Sequence, residues 1–261
     1  PLTVRRILAH TSGLPDWLPL YREVAGKGWT RDQVREYFLA AIDRTPLKEP
    51  PGVRRIYSDL GFILLGFLIT EVFSAGLGTL WREKIAERLK MEKTLFNPLE
   101  QGWAPERIAA TERSSARGKL IQGEVHDDNC FVLGGEAGHA GLFGTAEDME
   151  KFIQWILDTW AGRETLCFRQ TLMDFVGPAV RPKLGWDTAT PPYSQAGKYF
   201  SDEHSIGHLA FTGCSLWIDF SDQKYMVLLT NRVHPRADNT AIKKFRPRLH
   251  DLVIASMLGI S

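Results

Sequence analysis

Residues 207–220, GHLAFTGCSLWIDF, and residues 224–233, KYMVLLTNRV, decide the fold. They contain three strand-like runs, HLAFTG, CSLWIDF and KYMVLLTNRV, separated by Gly213 and by the polar turn Ser221-Asp222-Gln223. Apolar, β-branched and aromatic runs bounded by turn residues predict strands, and such short connections join antiparallel neighbours. A helical run follows, NTAIKKFRPRLHDLVIASMLG (239–259), in which Pro247 is expected to kink or restart the helix. Upstream, TAEDMEKFIQWILDTWAG (145–162) has a helical period behind a capping box from Thr145 to Asp148.

The first half of the chain predicts helices. TRDQVREYFLAAIDR (30–44) places Val34, Phe38 and Ala41 on one face behind a Thr30 cap. SDLGFILLGFLITEVF (58–73) is apolar nearly all round and is expected to be buried. Its uncharged core, LGFILLGFLIT, is about half the length a membrane span needs. TLWREKIAERLKME (79–92) is amphipathic, and the glycine-rich text from about Gly118 to Gly144 predicts loops. The resulting plan is α/β of the α+β type, an antiparallel sheet flanked by helices beside a mainly helical region. It is expected to form a single domain over 1–261: a helical part to about 117, cleft loops over 118–144, and a helix, strands and last helix over 145–261.

The composition is that of an ordinary globular protein, with 44% apolar and 24% charged residues in 261. A formal net charge of +1 gives no electrostatic reason to expect nucleic acid or an anionic membrane as partner. The three cysteines, Cys130, Cys167 and Cys214, are widely spaced and odd in number, so free thiols are expected rather than a disulfide framework.

Few short motifs carry chemistry. The loop GGEAGHAGLFG (134–144) either lines a cleft by close backbone approach or is an irregular connection needing positive φ angles. His126, Asp127 and Asp128 group a histidine with carboxylates, but no second cluster at ligand spacing accompanies them, and a hydrogen-bonded turn is the expectation. In IYSDLGFILLG (56–66), Ser58 or Asp59 caps the apolar helix. Capping leaves Tyr57 unexplained. A tyrosine held at a helix mouth near cations can act as a general base, because those charges favour the phenolate.

TVRRILAHTSGLP (3–15), YSDLGFILLG (57–66), AGHAGLFGTAEDM (137–149), GHLAFTGCSLWIDF (207–220) and LLTNRVHP (228–235) together resemble the serine β-lactamase-like hydrolases. That superfamily holds class C β-lactamases, penicillin-binding D,D-carboxypeptidases and related esterases. The resemblance implies a β-lactamase/transpeptidase-like fold, no cofactor or metal, and an acyl-enzyme on the Ser of S-x-x-K, whose Lys one helical turn away takes the hydroxyl proton. It casts Tyr57-Ser58-Asp59 as the Y-x-N motif, with Tyr57 as shared base and Asp59 orienting substrate or the Lys. It casts His208-Leu209-Ala210 as the K-T-G motif on an edge strand, with His208 as electrostatic anchor and the Phe211 N–H as an oxyanion donor. Thr212 and Ala210 are expected beside the substrate, and His139 and Gly141 in one wall of the cleft. Asp59 for Asn and Ala210 for Gly depart from the family pattern. The first adds negative charge beside the base, and the second adds a methyl that crowds the strand.

Ser-x-x-Lys occurs once, at Ser221-Asp222-Gln223-Lys224, in the expected hairpin tip rather than at a buried helix start. In the family that helix precedes the HTSGL segment, so the resemblance implies a nucleophile upstream of Pro1, a chain with no more than trace acyl transfer on its own, and an exposed sheet edge. Ser12 lies in a segment the family pattern treats as structural, and Cys214 is a small residue next to the edge strand. Expected substrates are esters, amides or D-Ala-D-Ala-like peptides, including peptidoglycan peptide, with no membrane span. The rival readings are a non-catalytic binding module and metal-dependent hydrolysis through His126.

Overall fold

A computed structural model describes residues 2–163, 166–190 and 194–259. The chain is α/β, with small antiparallel sheets and helices in two compact units. The first comprises Pro1–Ala109 with Ile121–Gly144, the second Ala110–Leu120 with Thr145–Ser261.

The first unit is mainly helical. Helix α1, Val4–Leu8, is capped by Thr3, whose hydroxyl accepts from Arg6 N–H, and buries Ile7. Helix α2, Arg31–Asp43, opens with a closed capping box between Thr30 and Gln33. Its core stripe is Val34, Phe38 and Ile42, with Ala41 packed against the same cluster, since residues three, four and seven apart share a helix face. Helix α3, Asp59–Phe73, is capped by Ser58 and buries Leu60 and Ile63 against the α2 stripe and Leu14, Leu20 and Val24.

The burial expected for all of α3 holds only for its first half. Leu68, Ile69, Val72 and Phe73 are 41–67% exposed. A helix apolar on every side has no polar face to show where its neighbours end. Among the described residues no single helix is long and apolar enough to cross a membrane. Asp59–Phe73 and Leu77–Leu89 satisfy length and composition only as a pair bent by 75°.

The 118–144 region is more ordered than its glycines suggest. It contains helix α4, Asp128–Val132, a Lys119–Leu120 strand paired with Arg113–Ser114, and Leu142–Phe143 paired with Leu95–Phe96. The glycine loop packs its backbone onto α3. A side chain at Gly66 would meet the Gly138 N–H at 2.8 Å, and Gly134, Gly135 and Gly141 have the positive φ angles of an irregular connection.

The second unit is built on an antiparallel sheet of three strands: β1 (Ser205–Leu209), β2 (Ser215–Asp219) and β3 (Tyr225–Leu228). Ile206 faces Ile218 and His208 faces Leu216 across the first pair. Alternate residues point to opposite faces. Ile206 and Ile218 therefore join Ile153, Ile156 and Leu157 of helix α5, Ala146–Trp160, while Trp217 joins Phe200 and Ile254. Trp160 stacks on Phe220 at 4.1 Å. Burying each such isoleucine is worth about 1.5–3 kcal/mol. Thr145 caps α5 by accepting from Asp148 N–H, and the Asp148 carboxylate meets Lys151 at 2.9 Å. Helix α6, Arg169–Val176, adds Val176 to the same cluster.

The last helix, α7, runs unbroken from Ile242 to Leu258 through Pro247, so the expected restart does not occur. Proline deprives the carbonyl four residues back of its helical donor. That carbonyl, on Lys243, accepts instead from Gln195 Nε2 at 3.0 Å. The same Gln195 accepts from Arg246 Nη1 at 3.0 Å, which ties the helix to the chain before it.

Candidate active site

In the first unit, residues 48–59 fold back along the HTSGLP segment. Lys48 N–H donates to the Gly13 carbonyl, Gly52 to Thr11, Ile56 to His10 and Asp59 to Asp16, all at 2.7–2.8 Å. Ser58 is wholly buried. Its hydroxyl donates to the Pro15 carbonyl at 2.6 Å and accepts from Gly61 N–H at 3.3 Å, so Ser58, not Asp59, is the cap. Tyr57 is pinned between these bonds at the mouth of α3, with its side chain half exposed.

Tyr57 opens on a groove of about 550 Å³ lined also by Asp16, Lys48, Glu49, Arg54 and Ile56. Lys48 meets Asp16 at 2.6 Å, and that hydrogen bond foremost holds the Asp16 carboxyl below its usual range. Arg54 and Glu49 stand 3.8 Å apart. Each cation of the groove thus stands beside a carboxylate of the same groove, Lys48 with Asp16 and Arg54 with Glu49. Sequence reasoning missed both cations: Lys48 joins the groove only when the chain folds back, and Arg54, three residues before Tyr57, lies in no motif.

His139 and Gly141 lie in the glycine loop of the same unit. His139 is almost wholly buried, and its Nε2 lies 2.9 Å from Asp127 Oδ1. Asp127 caps α4, accepting from Cys130 N–H at 2.7 Å. Burial alone would push the Asp127 carboxyl up, but the bond and charge of His139, the Cys130 N–H and His126 bring it below its usual value. His139 therefore braces the loop from inside. Gly141 has φ +113°, and a side chain there would meet the Phe96 ring at 3.0 Å and Cys130 Sγ at 3.1 Å. Among the described residues no three His, Cys, Asp or Glu side chains are grouped to hold a metal ion.

In the second unit, His208 projects half exposed from β1, with Nδ1 3.6 Å from Asp187 Oδ2. Asp187 also exchanges both backbone hydrogen bonds with Gly207, at 2.8 and 3.0 Å, so the outer side of β1 is paired at that residue. Ala210 lies just past the strand. Its carbonyl accepts from Gly213 N–H at 3.0 Å, and its N–H donates to Cys214 at 2.9 Å. Phe211 and Thr212 are thus at the tip of a tight turn and not on the strand as expected, because Gly213, at φ +120°, reverses the chain there.

Two arginines hold that turn. Arg232 Nε donates to the Phe211 carbonyl at 2.7 Å, its backbone N–H donates to the Thr212 carbonyl at 2.8 Å, and Arg246 Nη2 donates to the Gly213 carbonyl at 2.6 Å. Neither arginine was singled out from the sequence. Arg232 lies beyond β3 and Arg246 within α7, far along the chain from the turn they grip.

The remaining candidates have structural employment. Ser221 Oγ donates to Asp219 Oδ1 at 2.5 Å, and Lys224 Nζ reaches Asp219 at 3.3 Å and Asp222 at 2.8 Å, all in the β2–β3 turn. Ser12 is buried and accepts from Leu14 N–H at 3.2 Å. Cys214 directs its thiol to the Thr230 carbonyl at 3.3 Å, Cys130 directs its own to the Ala140 carbonyl at 3.2 Å, and Cys130, Cys167 and Cys214 form no disulfide among the described residues.

The Beta-lactamase family matches residues 1–246. An N-acetylmuramyl-L-alanine amidase of Bacillus subtilis strain 168 is 33% identical over 249 residues, covering 87% of this chain and 55% of that protein. A protein named as a D-alanyl-D-alanine carboxypeptidase of Escherichia coli K12 is 32% identical over 259 residues, covering 91% and 58%. The chain thus spans little more than half the length of these relatives. Simvastatin synthase of Aspergillus terreus superposes with TM-score 0.67 at 19% identity over 98% of this chain and 69% of that one. A penicillin-binding protein of Bacillus halodurans superposes with TM-score 0.64 at 17% identity over 96% and 74%. At these identities the structural likenesses establish the fold.

Proposed function

Because this chain belongs to the beta-lactamase family, we propose that it carries the base, anchor and oxyanion parts of a serine hydrolase that works through an acyl-enzyme. The observation that carries the proposal is Tyr57, held at the mouth of α3 by the Ser58 cap and opening on a groove lined by the ion pairs Lys48–Asp16 and Arg54–Glu49. A phenol fixed in place at the edge of a polar groove can receive and return a proton as a general base.

In the proposed step a serine hydroxyl attacks the substrate carbonyl, and its proton passes to the Lys–Tyr57 pair. The bond to the leaving amine or alcohol breaks as Tyr57 returns that proton, and water then hydrolyses the ester formed on the serine. The Phe211 N–H faces the developing oxyanion, His208 anchors the substrate's negative group, Asp59 orients the substrate or the Lys, and Ala210 and Thr212 border it. His139 and Gly141 shape the loop. The nucleophilic Ser-x-x-Lys pair is supplied by a segment outside these 261 residues, since the single match within them is bound up in the β2–β3 turn. The named relatives support amide and D-Ala-D-Ala peptides of the cell wall as the substrate class.

A labelled penicillin or fluorophosphonate probe tests this on the present chain and on one extended upstream. Labelling of the extended form alone is the expected result. No labelling and no turnover of β-lactam, ester or peptide in either form overturns the proposal. That outcome favours a binding module without turnover, the reading to which Asp59 and Ala210 point.

A further inference from the structure

We propose that His10 is a positioning residue for Tyr57, gripping the backbone on both sides of the tyrosine and backing its ring. His10 is buried and sits in the left-handed region at φ +54°, a conformation uncommon for a residue with a side chain. That backbone turn sends the carbonyl and the imidazole to the same short segment. The His10 carbonyl accepts from Ile56 N–H at 2.8 Å, and His10 Nδ1 accepts from Ser58 N–H at 3.0 Å. One residue therefore holds the amide before Tyr57 and the amide after it.

The imidazole also stacks. Its centroid is 4.4 Å from the Tyr57 ring at 31° and 4.9 Å from the Phe62 ring at 27°. Phe62 belongs to the first turns of α3, so His10 couples the tyrosine ring to the helix that Ser58 caps. Because Nδ1 accepts from an amide, that nitrogen carries a lone pair and no proton while the bond is made. The contribution to Tyr57 is thus geometric. Fixing the backbone at residues 56 and 58 and supporting the ring removes freedom from the phenol, and a general base misplaced by an ångström loses about 100-fold in rate. A buried histidine that merely satisfies itself needs one partner for its ring. This one meets both amides flanking a proposed catalytic residue and that residue's own side chain.

The inference rests on Tyr57 as the base, and its test separates the two. His10→Asn keeps an acceptor near the Nδ1 position and tolerates the left-handed backbone, but has no ring. His10→Ala removes both. In this chain, labelled with ¹³C-tyrosine and ¹⁵N and with Tyr57 assigned through Tyr57→Phe, His10→Asn is expected to keep Ser58 amide protection while Tyr57 ring signals move toward those of an exposed tyrosine. His10→Ala is expected to lose both. In the upstream-extended protein, His10→Asn is expected to lower kcat roughly 10- to 100-fold with KM unchanged. Tyr57 ring signals unaltered in His10→Asn overturn the proposal, and that variant decides the matter if His10→Ala does not fold. Full kcat in Tyr57→Phe instead overturns the base assignment while leaving the NMR result standing.

Discussion

Arg232 grips Phe211 twice. Its Nε donates to the Phe211 carbonyl at 2.7 Å and its guanidinium lies 4.3 Å from the centre of the Phe211 ring. The Phe211 N–H is the proposed oxyanion donor, and the direction of a donor is set by the peptides around it. Arg232→Ala is expected to lower kcat in the upstream-extended protein about 10- to 100-fold, less than loss of an oxyanion donor itself, which costs 10²–10³. Arg232→Lys keeps charge but not the planar fork and is expected to fall between. Steady-state kinetics on an ester or peptide substrate check this, and an unchanged kcat in Arg232→Ala removes the turn from the mechanism.

Asp219 is wholly buried at the end of β2. It accepts from Ser201 N–H, Ser205 Oγ and both donors of Ser221, and Lys224 lies beside it. Burial alone would push its carboxyl up, but these hydrogen bonds bring it down to about 2. A carboxyl depressed in the folded state stabilises above its unfolded value of about 4, and that stability drains as the pH falls toward 2. Asp219→Asn is expected to destabilise by about 1–3 kcal/mol at pH 7, with the loss shrinking toward pH 2. Urea melts across that range measure it, and a pH-independent difference contradicts the assignment. Ser221→Ala is expected to affect stability and not acyl transfer.

His250 on α7 is fully buried, with Nδ1 donating to the Ala196 carbonyl at 3.1 Å. Burial foremost, and the nearby charge of Arg246, lower its imidazole below its ordinary value, against raising contributions from the Ala196 carbonyl and Asp251. Below about pH 6.5 the unfolded chain takes up a proton that the folded one resists, so stability falls as the pH drops. His250→Asn is expected to flatten that acid slope at some cost in stability at pH 8. Thermal melts between pH 5 and 8 compare the two, and parallel slopes contradict it.

Gln195 replaces the donor that Pro247 withholds from Lys243, so the two residues are coupled. Gln195→Ala is expected to cost about 1–2 kcal/mol, since it also releases Arg246. In a Pro247→Ala background the helix supplies its own N–H to Lys243, and the same substitution is expected to cost less. A double-mutant cycle reads the coupling directly, and additivity of the two changes refutes it.

Much of this organisation was legible in the sequence. Gly213 and Ser221-Asp222-Gln223 punctuate the runs that become β1, β2 and β3, and Thr3, Thr30, Ser58 and Thr145 cap the helices they precede. These signals are local: a cap or a turn residue acts on backbone groups within a few positions. The Tyr57-Ser58-Asp59 triplet stood out for the same reason, as polar residues at an element boundary, whereas His208-Leu209-Ala210 stood out only through the family resemblance. The exposed end of α3 and the unbroken passage of α7 through Pro247 were not legible, because each depends on which distant residue lies alongside.

By itself, then, the sequence determined the α/β plan, the antiparallel order of three strands and the motifs by which the beta-lactamase family is recognised. The tertiary structure alone decided what holds those motifs. His10 grips Tyr57 from 47 residues away, Arg246 reaches the Gly213 carbonyl from 33 residues away, and Lys48 meets Asp16 beside the groove, 32 residues apart, only because the chain doubles back. The physical reason is the range of the interactions. Hydrogen bonds and ring contacts act over a few ångströms, and only folding brings partners so far apart in sequence within that distance.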